Sequence, residues 1–141
     1  MQKVECSYFL KYPFVAKLYP ARVTFSDEFF NLPSYDWVFN AFYPYFQKEL
    51  RRLKIDGWSN KFDCEDFTKF FKTLAQACHK SSKGTAEGLA VGEISYTKTS
   101  GEYHSINIIE TEKGLIFLEP QTGESLILTE NEKNSINKVY I

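Results

Sequence analysis

Cys64 is the residue of this sequence that is best placed for covalent chemistry, because it begins a helical pattern in "NKFDCEDFTKFF", residues 60 to 71. The pattern predicts a helix from about Asp63 to about Cys78, with Gly84 shortly after its end. Asp63 or a residue just before it would cap the helix by accepting a backbone N–H bond. The first turn of a helix carries partial positive charge, which stabilises a thiolate. Cys64 is therefore the predicted nucleophile.

His104 and Glu119 are the predicted partners of this thiol. A thiolate needs a proton-transfer group, usually histidine, and a third polar group that orients the imidazole. His104 begins a strand in "GEYHSINIIE", on the face that carries Ile106 and Ile108. Pairing this strand with "LIFLEPQTG" around the "EKG" turn brings Glu119 close to His104. Glu119 would then accept the ring N–H of His104.

The elements that must position these residues indicate an α+β fold. The segment "PSYDWVFNAFYPYFQKELRRLKIDG" has helical periodicity, with Pro44 as a kink or a fresh start and Gly57 as a stop. Residues 1 to 35 predict loops with short pieces of structure, including a short strand in "PARVTF". The C-terminal half predicts an antiparallel sheet of about four strands, joined by "KTSGE", "EKG" and "QTGE" and packed against the Cys64 helix.

Domain organisation follows from length. A chain of 141 residues, without repeats or linkers, predicts one domain over residues 1–141. Residues 1–57 form its aromatic-rich helical and loop portion, and residues 58–141 contain the cysteine helix and the sheet.

The three motifs in order, "FDCEDF", "YHSINII" and "LEPQTGE", resemble the transglutaminase-like and papain-like cysteine hydrolases. The closer resemblance is to the bacterial and phage transglutaminase-like proteinases and to the papain-like domain of some fungal lectins. It covers about residues 58 to 125 and implies a catalytic triad of Cys64, His104 and Glu119 acting through a thioester. Many members have Asp or Asn where Glu119 stands, and the usual oxyanion Gln ahead of the cysteine is absent.

The resemblance implies a cysteine peptidase that cleaves peptide or isopeptide bonds, with transamidation as the alternative fate of the thioester. Asn60 or the backbone N–H of Cys64 would supply the oxyanion donors. In the aromatic-rich half, the rings of Trp37, Tyr43 and Tyr45 could line a substrate groove. The predicted substrate-binding residues that complete the site are Trp58, Tyr103 and Gln121.

A cofactor is not expected, although calcium stays open. Asp63, Glu65 and Asp66 interact favourably with the helix dipole, but their repulsion would oppose a thiolate at Cys64. A cation bound there would cancel this repulsion, and some fungal-lectin relatives have a calcium-dependent proteolytic domain.

Composition narrows the partners to a peptide or protein substrate. The net charge is −1 and the basic residues are dispersed, which argues against nucleic acid. Lysines and prolines interrupt the N-terminal apolar residues, so we expect no signal peptide, no membrane partner and a cytoplasmic location. Three cysteines at these spacings predict no disulfide framework, with Cys6 and Cys78 inert. His79 is predicted to be a cation near the helix end, and the oligomeric state is left open.

Other hypotheses fit the same residues. Cys64 could be a small buried hydrophobe, His104 a structural histidine and Glu119 a strand end that faces water. A peptidoglycan endopeptidase or amidase would use a similar cysteine and histidine pair. A catalytically silent binding or virion-structural module would use the aromatic residues as a partner surface and bury Cys64. A metal site built from Cys64, His104 and acids is the weakest alternative, since structural zinc prefers more sulfur.

Overall fold

The computed structural model describes residues 2–80 and 87–141, and Gly84, which follows the predicted cysteine helix, lies outside these residues. The helices are a 3₁₀ helix at Cys6–Lys11, α1 at Pro13–Ala16, a π-helix at Trp37–Phe42, α2 at Tyr43–Arg52, α3 at Cys64–Lys80 and α4 at Glu130–Asn134. The strands are β1 at Lys3–Glu5, β2 at Val23–Thr24, β3 at Phe29–Asn31, β4 at Gly88–Leu89, β5 at Val91–Thr97, β6 at Tyr103–Thr111, β7 at Gly114–Leu118, β8 at Ser125–Leu126 and β9 at Lys138–Tyr140.

Within the described residues, the strands form two sheets, and this corrects the predicted fold class. A six-stranded sheet has the order β2-β9-β5-β6-β7-β8, and a three-stranded sheet has the order β1-β3-β4. The α+β prediction of one antiparallel sheet of about four strands under N-terminal helices is therefore wrong. The strands β5 to β8 do lie in the predicted segments, but β9 and β2 extend that sheet and pair in parallel. Such long-range pairing between short strands leaves no local pattern in the sequence.

The two main helices lie close to their predicted positions. The predicted helix from about Asp63 to Cys78 is confirmed as α3, Cys64–Lys80. Pro44 stands in the first turn of α2, directly after the π-helix at Trp37–Phe42, and the backbone stays helical through Phe42 and Tyr43. The predicted kink or fresh start therefore corresponds to a change of helix type in a continuous helical run. The short strand predicted in "PARVTF" is β2.

The core is divided between two clusters that β6 joins. Ile106 and Ile108 enter one cluster with the aromatic residues of the N-terminal segment, and Ile109 enters the other with α2 and α3. Helix α3 packs on β5 and β6. Buried Asn107 fixes this contact because its Nδ2 donates to the carbonyl oxygens of Thr68 and Gly92, both at 3.0 Å. The start of α3 is thereby held beside one end of the sheet.

Candidate functional site

An open cleft of about 550 Å³ lies where α3 begins, β6 begins and β7 ends. It brings together Cys64, His104 and Glu119, which the sequence placed in one site. The described residues that line it are Trp58, Asp63, Cys64, Lys98, Glu102, Tyr103, His104, Glu119, Gln121 and Thr122.

Cys64 is the first residue of α3, and Asp63 fixes that helix start. Oδ1 of Asp63 accepts the backbone N–H groups of Glu65 at 3.1 Å and Asp66 at 3.3 Å. In return, Oδ2 of Asp66 accepts the backbone N–H of Asp63 at 3.0 Å. This reciprocal arrangement satisfies N–H groups that the helix cannot pair internally. The half-buried thiol of Cys64 is thus held at the wall of the cleft.

His104 and Glu119 form a buried pair, as the strand pairing predicted. Nε2 of His104 lies 2.6 Å from Oε1 of Glu119. The last paired residues of β6 and β7 are Asn107 and Leu118, so the two side chains reach each other diagonally beyond the ladder. Diagonal neighbours are farther apart than direct partners, and a long Glu side chain can cross that gap. The arrangement holds an oriented imidazole at the cleft wall.

The turn that carries Glu119 and Gln121 is fixed by Tyr43 of α2. The hydroxyl of Tyr43 donates to the carbonyl oxygen of Pro120 at 3.0 Å, and burial raises the pKa of this phenol to about 12. Gly123 closes the turn with φ +80°, a conformation that favours glycine. A Cβ at Gly123 would stand 2.5 Å from Cε1 of Tyr43. The glycine therefore permits both the turn and the close approach of the ring.

The predicted substrate-binding residues divide into two groups. Trp58, Tyr103 and Gln121 line the cleft, and the two rings are 59% and 50% exposed. Asn60 is exposed in the turn over residues 59–62 and is not among the cleft-lining residues.

The other rings predicted to line a groove lie outside this cleft. Trp37 packs against the core cluster of α2 and α3, where its ring stacks on Phe42 at a centroid distance of 5.1 Å. Tyr43 is buried behind the turn of Glu119, and Tyr45 is exposed elsewhere on α2.

Three cleft residues were not predicted, namely Lys98, Glu102 and Thr122. Lys98 and Glu102 flank the β5–β6 turn, where Lys98 Nζ lies 3.7 Å from Glu102 Oε2. Their position in "KTSGE", directly before the strand of His104, could have indicated them. The described lining carries three carboxylates and one lysine, so its charge is −2 when His104 is neutral. The cleft therefore favours neutral or cationic ligands over anions.

The remaining cysteines and His79 lie apart from the cleft. Cys6 and Cys78 pack against the two core clusters, and burial raises the pKa of the Cys78 thiol. His79 is buried, with Nε2 3.2 Å from Nδ2 of Asn31. The predicted role of His79 as a cation near the helix end stays a prediction.

The predicted calcium position coincides with the capping groups of α3. Asp63 and Asp66 direct carboxylate oxygens at backbone N–H groups, while Glu65 lies 3.9 Å from Lys69 Nζ. No group of three or more metal-ligating side chains occurs within residues 2–80 and 87–141. Calcium binding at this helix start stays a prediction.

The helices of residues 2–80 and 87–141 are all too short or too polar to cross a bilayer.

Comparison with known proteins yields structural neighbours and no sequence family. No family model and no curated protein matches the chain. A solved structure described as "PSL1a-E64 complex" has a TM-score of 0.73 and 20% identity, covering 96% of this chain and 47% of the other. A Polyporus squamosus lectin described as bound to the epitope Neu5Aca2-6Galb1-4GlcNAc has a TM-score of 0.65 and 21% identity, covering 90% and 47%. The chain thus spans about half the length of these neighbours.

These neighbours correct the predicted family and activity. They are structures of a fungal lectin, so the assignment to the transglutaminase-like and papain-like hydrolases is wrong, and of the stated resemblances only the mention of fungal lectins agrees with these neighbours. The prediction of a cysteine peptidase with a catalytic triad falls with that assignment, because the hydrolase activity was inferred from the resemblance. A thiol and a carboxylate-paired imidazole are polar cleft groups that can bind a ligand as well as transfer an acyl group. The binding-module alternative fits these neighbours better, although Cys64 is half-buried and lines the cleft. The chain shares the fold of the portion that it covers in the Polyporus squamosus lectin structures, which is about half of their length.

Proposed function

We propose that this chain is a carbohydrate-binding module and that its ligand occupies the cleft at the start of α3. One observation carries the proposal: two exposed aromatic rings, Trp58 and Tyr103, stand in a cleft whose other lining side chains are mostly polar. The face of an aromatic ring carries negative potential and packs against the C–H groups of a sugar ring. Without a ligand that covers them, exposed rings in a concave site leave apolar surface in contact with water.

The polar lining supports the same proposal. Glu119 and Gln121 offer carboxylate and amide groups, and Thr122 adds a hydroxyl that can donate or accept. Sugar hydroxyls need both kinds of partner. The buried His104–Glu119 pair and the Tyr43 contact hold these groups in place before a ligand arrives. Such preorganisation lowers the entropic cost of binding.

The charge of the cleft distinguishes between glycans. The sialylated epitope bound by the Polyporus squamosus lectin carries a carboxylate, whereas the lining of this cleft is net negative. We therefore expect the asialo disaccharide Galβ1-4GlcNAc to bind here more tightly than its sialylated form, because like charges repel across a partly desolvated cleft.

A titration tests the proposal. The protein is titrated with Galβ1-4GlcNAc, with the sialylated trisaccharide and with E64, the compound named with one neighbour. Backbone amide NMR shifts report where each compound binds. Trp58→Ala should weaken glycan binding by about tenfold or more. The bound sugar would cover this ring, and loss of that contact costs roughly 1.5 kcal/mol. Tyr45→Ala, at an exposed ring outside the cleft, is the matched control and should leave binding unchanged.

Two results would overturn the proposal. One is the absence of any glycan-dependent shift in the cleft at millimolar concentration. The other is turnover of a peptide or protein substrate that disappears in Cys64→Ala, because a binding module has no turnover to lose.

A further inference from the structure

The cleft borders a smaller pocket of about 310 Å³, here called the side pocket. The two pockets share four lining residues, namely Lys98, His104, Glu119 and Thr122. The described residues that line the side pocket alone are Tyr96, Glu124, Leu126, Ile127, Leu128 and Glu132. The pockets are therefore neighbours on the surface, with the His104–Glu119 pair at their common border.

Ile127 is the apolar residue that the side pocket presents to solvent. Its side chain is 97% exposed, the highest value among the large hydrophobic residues that the structure describes. On either side of it along the chain, Leu126 packs against a core cluster and Leu128 is buried in that cluster. Successive side chains of a strand and its continuation point to opposite faces. The packing of the two leucines therefore holds Ile127 outward.

Exposed apolar surface is concentrated along the two pockets. Among the described residues, the large hydrophobic side chains that are at least half exposed are Trp58, Tyr103 and Ile127. Trp58 and Tyr103 line the cleft, and Ile127 lines the side pocket. Scattered single exposed residues are ordinary, whereas a group of them in one place marks a binding surface. One ligand that covers all three would remove this surface from water.

The distance across the sheet sets the size of such a ligand. Tyr103 begins β6 and Ile127 follows β8, and β7 lies between these two strands. Neighbouring strands are about 5 Å apart, so the two residues are separated by about 10 Å or more. A single sugar ring cannot contact both. The ligand that covers them is a chain of several units.

The side pocket is negatively charged, like the cleft. Its three carboxylates, Glu119, Glu124 and Glu132, outnumber its one lysine, Lys98. A hydrogen bond from the backbone N–H of Thr129, at 3.0 Å, lowers the pKa of Glu132 and keeps this group ionised. An anionic chain would be repelled in both pockets. The chain that fits is uncharged.

We propose that the cleft and the side pocket together bind one linear, uncharged oligosaccharide whose sugars carry N-acetyl groups. This inference rests on the proposed glycan function of the cleft and extends it. The rings of Trp58 and Tyr103 pack against the faces of sugar rings. Ile127 contacts the methyl group of an N-acetyl substituent, because an isoleucine side chain offers a compact aliphatic contact and no ring face. The oligosaccharide crosses the border between the pockets at His104 and Glu119.

Four sugars test the dependence on chain length and on acetyl groups, each followed by backbone amide NMR shifts of the complete chain. They are Galβ1-4GlcNAc, chitobiose, chitotetraose and cellotetraose. The two tetrasaccharides have the same linkage and length, but only chitotetraose carries acetamido groups. Chitotetraose should shift the amides of Ile127 and Leu128 as well as those of the cleft. It should bind at least about tenfold more tightly than chitobiose or cellotetraose, because it alone reaches Ile127 with a methyl group.

Galβ1-4GlcNAc separates this inference from the proposed function. If this disaccharide shifts amides of the cleft while chitotetraose gains no affinity and causes no shift at Ile127, the glycan function stands and the extension into the side pocket is overturned. If neither sugar shifts the cleft, the proposed function fails and the extension fails with it. Equal affinity for chitotetraose and cellotetraose would overturn the acetyl contact.

Ile127→Ala tests the side pocket directly. It should reduce the ratio of chitotetraose affinity to chitobiose affinity about fivefold, because the lost methyl groups no longer become buried on binding. Leu53→Ala, at an exposed aliphatic residue outside both pockets, is the matched control and should leave this ratio unchanged. Both side chains are exposed, so both variants should fold. An unchanged ratio in Ile127→Ala would contradict the proposed contact.

Discussion

The cleft at the start of α3 and a separate pocket of about 700 Å³ between α3 and strands β5 and β9, here called the lysine groove, carry opposite charge. Asp63, Glu102 and Glu119 make the described lining of the cleft negative, while Lys69, Lys72 and Lys80 make that of the groove positive. Both pockets depend on the packing of α3 against β5 and β6. The lysines of the groove all lie on α3, whereas only Asp63 of the cleft carboxylates adjoins that helix, and Glu102 and Glu119 come from the β5–β6 turn and the end of β7. One helix therefore borders two pockets of opposite charge, and the sheet supplies most of the negative charge.

The buried carboxylates of the two pockets also differ in their partners. Glu119 has His104 at 2.6 Å, so the cleft contains a satisfied pair. Glu93 has only an ion-pair contact at Oε1, and Oε2 lacks a hydrogen-bond partner within the described residues. The carboxylate of the cleft is therefore held by a side chain of the cleft itself, whereas the described residues supply Glu93 with an ion-pair contact but no hydrogen-bond donor to Oε2.

The largest effect is expected from the core beneath α3. Phe71→Ala should lower the free energy of unfolding by about 3–5 kcal/mol and weaken glycan binding in the cleft. Phe71 is fully buried, with its ring 4.9 Å from that of Phe42 and 5.1 Å from that of Phe46. Urea denaturation measures the change. Leu53→Ala, at an exposed residue after α2, is the control and should change stability little. An unchanged urea midpoint in Phe71→Ala would contradict the role of this ring in the core beneath α3.

A smaller effect is expected from the pair in the cleft. Glu119→Ala should lower the free energy of unfolding by about 1–3 kcal/mol, because it leaves a ring N–H of buried His104 without its acceptor. Glu119→Gln keeps an acceptor oxygen and should lose less. Both changes should reduce glycan affinity in the cleft, whereas Lys48→Met, on the exposed surface of α2, should leave it unchanged. Equal stability of Glu119→Ala and the parent chain would show that the pair is not an organising contact.

The smallest effect is expected from Lys72 and depends on pH. Burial holds the pKa of Lys72 below its ordinary value of 10.5, so the unfolded chain binds more protons between the two values. The contribution of Lys72 to the free energy of unfolding then rises as the pH increases from its folded to its unfolded pKa. Relative to Lys72→Met, the parent chain should gain stability as the pH rises towards 10.5, measured as the difference in urea midpoint. Lys48→Met should show no such trend, and a parallel response of both variants would contradict the half-buried position of Lys72.

Much of the cleft could be predicted from local sequence. The helix that begins at Cys64 follows from the apolar periodicity and from Asp63 as the cap, and the proximity of His104 and Glu119 follows from two strands joined by a short turn. The activity could not be predicted from the same residues. The motifs of this chain predicted a hydrolase, but its structural neighbours are described as lectin structures.

The lysine groove could not be predicted in the same way. Its helix stripe has a visible spacing, but Glu93 and Tyr140 reach it only through the pairing of β5 with β9. These strands are separated by β6, β7, β8 and α4 along the chain. A short strand such as β9 carries too few residues for a periodic pattern to indicate its partner.

The sequence by itself determined the elements whose contacts are local: α2, α3, the turns and the β5–β8 run. Only the tertiary structure decided the parallel pairing of Val23 with Val139, the separate three-stranded sheet and the burial of Glu93 beside Lys72. The physical reason is that local propensity and capping depend on neighbouring residues, whereas these contacts depend on which distant surfaces bury one another.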